Sequence, residues 1–181
     1  MPVIDRRSTH LPLPRISLAL ALTFAVVPGL QSPPVWSQSR DALRLGEPEL
    51  AMARAERRVE YRDTTLLMEA VAVDGSLECR RSRGAHDRID RCQVSLTMVV
   101  SAESRPRGRA TVECAVTLEA QAGGDEGATE RPTAARERSV SLSQGQGRTL
   151  LTISLRAATP AGWDRVDLRS IACRMPRVTL F

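Results

Sequence analysis

The chain has 181 residues, 26 basic against 21 acidic side chains, a net charge of +5 and only 3% aromatic residues. Every basic side chain is arginine, lysine and asparagine are absent, and there are four cysteines and two histidines, His10 and His86. Without lysine there is no Schiff base, no lysine-bearing phosphate loop and no Ser-Lys hydrolase. His10 and His86 are too far apart for a two-histidine zinc helix, and neither G-x-S-x-G nor G-x-G-x-x-G occurs.

At the amino terminus, Arg6, Arg7 and Arg15 precede the apolar run Ile16 to Val27. The run falls short of the roughly 20 residues of a membrane-spanning helix and fits the roughly 7 to 15 of a signal-peptide core. Pro28 and Gly29 end it, and Val35 and Ser37 occupy the small-residue positions before a cut between Ser37 and Gln38. Residues 1–37 read as a removed secretory signal. Thr9 and His10 stand where a twin-arginine signal would carry apolar residues, so the general route is expected. The product is expected in the periplasm or secreted, with no transmembrane span in the mature chain.

Residues 38–62 read as a polar N-terminal segment with a short helix, because "PELAMARAERRVEY" has good helix formers on a ragged apolar face. From residue 63 to 181 the period changes to two. "TTLLMEAVAV" and "SLECRR" flank Asp74-Gly75, a hairpin dipeptide. "CQVSLTMVVSAE" and "ATVECAVTLEA" are two clear strands about the turn "SRPRGR", and "RSVSLSQGQGRTLLTISLRA" is a second hairpin about Gly145 to Gly147. "DRVDLRSIACRM" and "RVTLF" follow, separated by Pro176. Seven or eight short strands joined by turns predict an all-β fold, an antiparallel Greek-key β-sandwich.

Four cysteines in an exported chain predict two disulfides. Cys79 ends one strand and Cys92 opens the next, while Cys114 and Cys173 are mid-strand on core faces, so Cys79–Cys92 and Cys114–Cys173 are the expected pairs. Folding about Pro106 would set Cys114 opposite Val99, with Cys92 roughly 20 Å further along the strand, beyond the roughly 7 Å a disulfide tolerates between Cα atoms. The positions of Cys114, Cys173 and Asp167 resemble the inter-sheet bridge of an immunoglobulin-like domain. The sequence departs from that pattern where no tryptophan follows Cys114 and Ile171 stands at the tyrosine corner. The resemblance implies architecture only.

The candidate binding element is "RRSRGAHDRIDR", between Cys79 and Cys92, with Arg80, Arg81, Arg83, Arg88 and Arg91 as possible anion ligands. A second basic turn with Arg105, Arg107 and Arg109 is expected at the opposite end, and the acidic loop with Asp125, Glu126 and Glu130 at the same end. His86, Asp87 and Ser82 are three common residue types in a polar loop and read as surface chemistry rather than a catalytic triad. Asp87 with Asp90, or Asp125 with Glu126, lacks the alternating oxygen ligands of a calcium loop. Trp163 reads as a core plug. No cofactor, metal or catalytic residue is expected. After signal removal only Tyr61, Trp163 and Phe181 are aromatic, which disfavours nucleic acid as a partner. Phe181 resembles the end of an outer-membrane barrel, but Pro176 and charged strand faces oppose a spanning barrel. The functional expectation is a non-catalytic envelope protein acting through protein contact, "RVTLF" being able to join a neighbour's sheet edge. The alternatives are an anion-binding module for lipopolysaccharide, acidic polysaccharide or phosphate, and a thiol-redox protein.

Overall fold

The computed structural model describes residues 41–82, 88–123, 127–158 and 161–181; the segment read as a signal peptide is outside the described residues. The elements are β1 (Asp41–Arg44), α1 (Glu47–Met52), β2 (Arg54–Tyr61), β3 (Thr64–Arg81), β4 (Ile89–Ala102), β5 (Gly108–Ala122), β6 (Thr129–Glu130), β7 (Thr133–Leu142), β8 (Gln146–Arg156) and β9 (Trp163–Leu180). The strands are antiparallel and form a sandwich-like all-β fold. In one layer β1 and β2 follow each other along β3, which pairs with β4, which pairs with β8. In the other, β5 is central, with β6 and β7 on one side and β9 on the other. The layers converge at one end, where Ile89 of β4 pairs with Trp163 of β9.

Alternation builds the core. Cys92, Val94, Leu96, Met98 and Val100 of β4 are buried, as are Val112, Cys114, Val116 and Leu118 of β5 and Leu151, Ile153 and Leu155 of β8. These share the inner faces that period two assigns them, and burial of each larger apolar side chain stabilises the fold by roughly 1.5–3 kcal/mol. Both expected disulfides are present, with sulfur separations of 2.04 Å for Cys79–Cys92 and 2.09 Å for Cys114–Cys173. Each joins directly opposed residues of neighbouring strands, β3 with β4 and β5 with β9. The second therefore bridges strands within one layer, unlike the inter-sheet bridge that the immunoglobulin-like pattern implies.

The connections differ from the sequence reading in four places. Asp74-Gly75 is no hairpin: β3 runs straight through it, with a bulge that leaves Val73 unpaired between Ala72 and Asp74. Glycine serves packing there, because an added Cβ would stand 2.9 Å from Leu45 Cδ1, 3.1 Å from Leu96 Cδ2 and 3.2 Å from Leu50 Cδ2. β4 and β5 do not form a hairpin about Pro106; they lie in different layers, so the register that opposed Cys114 to Val99 does not occur, although the cysteine pairing holds. Within the segment read as polar with a short helix, the helix is present over Glu47–Met52, but β2 follows it and pairs with β3 from Arg54↔Val71 to Tyr61↔Thr64, so the sheet begins earlier than residue 63. The alternation of β2 is hidden because Arg57, between Ala55 and Val59 on the same parity, is charged and exposed. Pro176 does not divide the last strand, but falls at a register shift of the continuous β9. Arg177 to Leu180 are consequently paired with β5 on one side, and Tyr61 Oη donates to the Phe181 carbonyl at 3.0 Å on the other.

The hairpin about Gly145 is present. Gln144 and Gly145 have φ of 53° and 77°, the type I′ signature, and Ser143 and Gln146 exchange backbone hydrogen bonds. Its two strands then part, β7 pairing with β5 and β8 with β4, so this turn closes one lateral seam of the sandwich.

Candidate functional site

The two outer faces differ in chemistry. On the β9–β5–β7 layer, arginines of the flanking strands meet glutamates of the centre. Arg174 donates through Nε and Nη2 to both oxygens of Glu113 at 2.9 and 3.0 Å, and Arg169 reaches Glu119 at 2.5 Å. Arg165 pairs with Asp167 at 2.9 Å and Arg177 with Glu137 at 3.4 Å. Arg109, opposite Ser141 and Thr179 on the same face, makes no ion pair among the described residues.

The outer face of β3, β4 and β8 is organised in rows by the register. Val71, Val99 and Arg148 form one row, and Asp74, Thr97 and Leu150 the next. Ser76, Ser95 and Thr152 follow, then Glu78, Gln93 and Ser154. Val73 and Leu150 are exposed by 48% and 56% beside the Val71–Val99 pair, while Leu67, exposed by 40%, lies further along β3 beyond Glu69. A shallow open depression lined by Asp74, Ser76, Glu78, Ser95, Thr97 and Leu150 lies on the same face. The last row is Arg80, Arg91 and Arg156, one arginine from each of three adjacent strands. Among the described residues none of the three makes an ion pair.

This arrangement sorts the expected anion ligands. Arg80 and Arg91 are brought directly opposite each other. Arg81 is opposite the buried Ile89, so it points to the other side of the strand. Arg88 is diverted: its Nε reaches Asp164 at 3.1 Å, its Nη1 donates to the Ala161 carbonyl at 3.4 Å, and its side chain lies against Gly123. Arg83, His86 and Asp87 are outside the described residues. Arg156 is the member that sequence reasoning missed; the alternation of "TLLTISLR" places it on an outer face, but only the pairing of β8 with β4 puts it beside Arg91.

The remaining candidates have structural roles. The Ser82 hydroxyl donates to the Arg88 carbonyl at 3.2 Å and closes the loop base. Trp163 is fully buried where the layers converge, and its Nε1 donates to Glu130 Oε2 at 2.7 Å, so Glu130 is engaged there rather than neutralising the basic loop. Asp125 and Glu126 are outside the described residues. The second basic turn is elsewhere: Arg105 and Arg107 line a depression with Tyr61, Arg62, Ser104 and Phe181. Among the described residues no three His, Cys, Asp or Glu side chains are grouped to hold a metal ion, and no helix is long and apolar enough to cross a membrane. Cys92 and Cys114 are fully buried and all four cysteines are paired, the state of a chain that folds in an oxidising, extracytoplasmic compartment. Comparison with known proteins returns no significant match: no family model, no curated protein and no solved structure resembles this chain closely enough to lend it a family.

Proposed function

We propose that this chain is a non-catalytic extracytoplasmic domain that works by protein contact in the cell envelope, through the outer face of β3, β4 and β8. The observation that carries the reading is the asymmetry of the faces. On the β9–β5–β7 face Arg174, Arg169, Arg165 and Arg177 are paired with carboxylates, whereas the β3–β4–β8 face exposes Val73 and Leu150 beside Val71, Val99 and the Ser76–Ser95–Thr152 row, with Asp74, Glu78 and Arg148 around them. Contiguous exposed apolar surface with a polar rim marks contact sites on soluble domains. The patch is small, so the contact belongs to the weak or transient class. The two core-facing disulfides support the compartment. A photo-crosslinking amino acid at Leu150 in the native envelope is expected to yield one discrete protein adduct, while the same probe at the exposed Ala172 on the opposite face yields none. Absence of an adduct at Leu150, or identical adducts from both positions, would overturn the reading.

A further inference from the structure

The end row of the same face carries a different chemistry. Arg80 faces Arg91 across β3 and β4, and Arg91 faces Arg156 across β4 and β8. Like charges directly opposed in a sheet are destabilising, and oppositely charged side chains usually relieve them. Here the nearest acid in the row pattern is Glu78, two positions along β3, and it makes no ion pair with any of the three among the described residues. On the other face Arg174, Arg169, Arg165 and Arg177 have carboxylate partners. Arg109, which has none among the described residues, is opposed by Ser141 and Thr179 rather than by further arginines, so direct opposition of three arginines is what sets this row apart.

The backbone fixes the spacing of the row. Cys79 and Cys92 approach to 4.1 Å between Cα atoms, the close, non-hydrogen-bonded kind of antiparallel pair. Opposed pairs alternate in kind along and across a sheet, so Arg80 and Arg91 are about 5.5 Å apart and Arg91 and Arg156 about 4.5 Å at Cα. The hydrogen bond from Ala157 N to the Asp90 carbonyl, at 3.0 Å, agrees with that alternation. The disulfide below the first pair holds two of the three strands in this register. Three arginines are thus anchored in a row of Cα positions about 10 Å long.

We infer that the Arg80–Arg91–Arg156 row binds an extended polyanion through its repeated phosphate or sulfate groups. Arginine's planar fork engages such oxyanions with paired N–H donors, and a line of three favours several groups on one carrier over a single ion. Sugar-ring or base recognition is not supplied here, because Trp163 is buried in the core and Tyr61 and Phe181 line the opposite end. The ligand is therefore read by charge and spacing. This goes beyond the protein-contact reading and does not depend on it.

The test compares Arg80→Ser/Arg91→Ser/Arg156→Ser with Arg165→Ser/Arg169→Ser/Arg174→Ser, which removes the same net charge from the other face. Binding is measured against size-defined heparin oligosaccharides and against polyphosphate over a salt series, with inorganic phosphate as competitor. The row variant is expected to lose at least about tenfold in affinity, with the slope of log affinity against log salt falling by about 2 to 3 as released counterions are lost. The control variant is expected to keep both. Arg91→Lys, which keeps the charge and loses the fork, is expected to keep the slope and weaken binding. Binding of heparin alone assigns sulfated carriers, and of polyphosphate alone phosphorylated ones. Binding of neither, equal losses in both triple variants, or displacement by inorganic phosphate as effective as by either polymer would overturn the inference. A second readout guards against misfolding: relief of repulsion should leave the row variant at least as heat-stable as the parent, so a lowered melting temperature accompanied by lost binding would also count against it.

Discussion

Trp163 shows how one residue joins several levels of the fold. It opens β9, pairs with Ile89 to bring the layers together and buries its indole completely, which forces its N–H to find an acceptor inside the protein. Glu130 supplies that acceptor at 2.7 Å from the short β6, a two-residue strand held to β5 at Ala120 and Gln121. Removing the acceptor leaves a buried donor unsatisfied, at a cost of about 1–3 kcal/mol, whereas an amide in the same place can still accept. Glu130→Ala is therefore expected to lower unfolding stability by about that amount and Glu130→Gln by less than about 1 kcal/mol. Urea titrations followed by circular dichroism measure both, and equal losses in the two variants would assign the effect to charge rather than to the hydrogen bond.

The strands themselves were legible because period two leaves a direct trace. Cys92 to Val100 and Val112 to Leu118 alternate without interruption and are buried at the positions that alternation selects. Pairing partners were less legible. β4 and β5 present the same alternation whether they form a hairpin or face each other across the core, so the short link at Pro106 was compatible with both. Asp74-Gly75 carried the composition of a turn while serving a bulge under Leu45 and Leu50. For the candidate site the consequence is specific: Arg80 and Arg91 flank one connection and were readable together, while Arg156 belongs to another hairpin and joins them only through the β4–β8 ladder. The disulfides act at this same scale, since each locks two strands that already pair. With sequence separations of 13 and 59, chain entropy assigns about 3 kcal/mol to Cys79–Cys92 and about 4 kcal/mol to Cys114–Cys173. Paired alanine substitutions are expected to destabilise in that order in denaturant titrations, and the reverse order would show that local packing, not loop length, governs their contribution.

At the scale of the whole molecule, a sandwich has two lateral seams, and this one closes them by different means. The β7–β8 turn seals one covalently. Along the other, β2 and β9 approach without a backbone ladder between them, and the link is made by side chains. Arg57 of β2, on an edge strand opposite the buried Met68, is itself exposed, and its Nη1 donates to the carbonyls of Met175, at 2.6 Å, and Pro176. The acceptors lie at the β9 register shift, where Pro176 has no N–H to offer a neighbouring strand. A charged side chain on an edge strand also disfavours docking of a second chain there as an extra strand. Arg57→Met keeps the bulk and removes the donors, so it is expected to loosen this seam by about 0.5–1.5 kcal/mol without disturbing the central strands. Hydrogen exchange should quicken over Arg54–Tyr61 and Arg174–Leu180 while amides of β4 and β5 keep their protection. Uniform acceleration across all strands would mean that Arg57 supports the global fold rather than the seam, and unchanged exchange would mean that packing alone holds the two edges together.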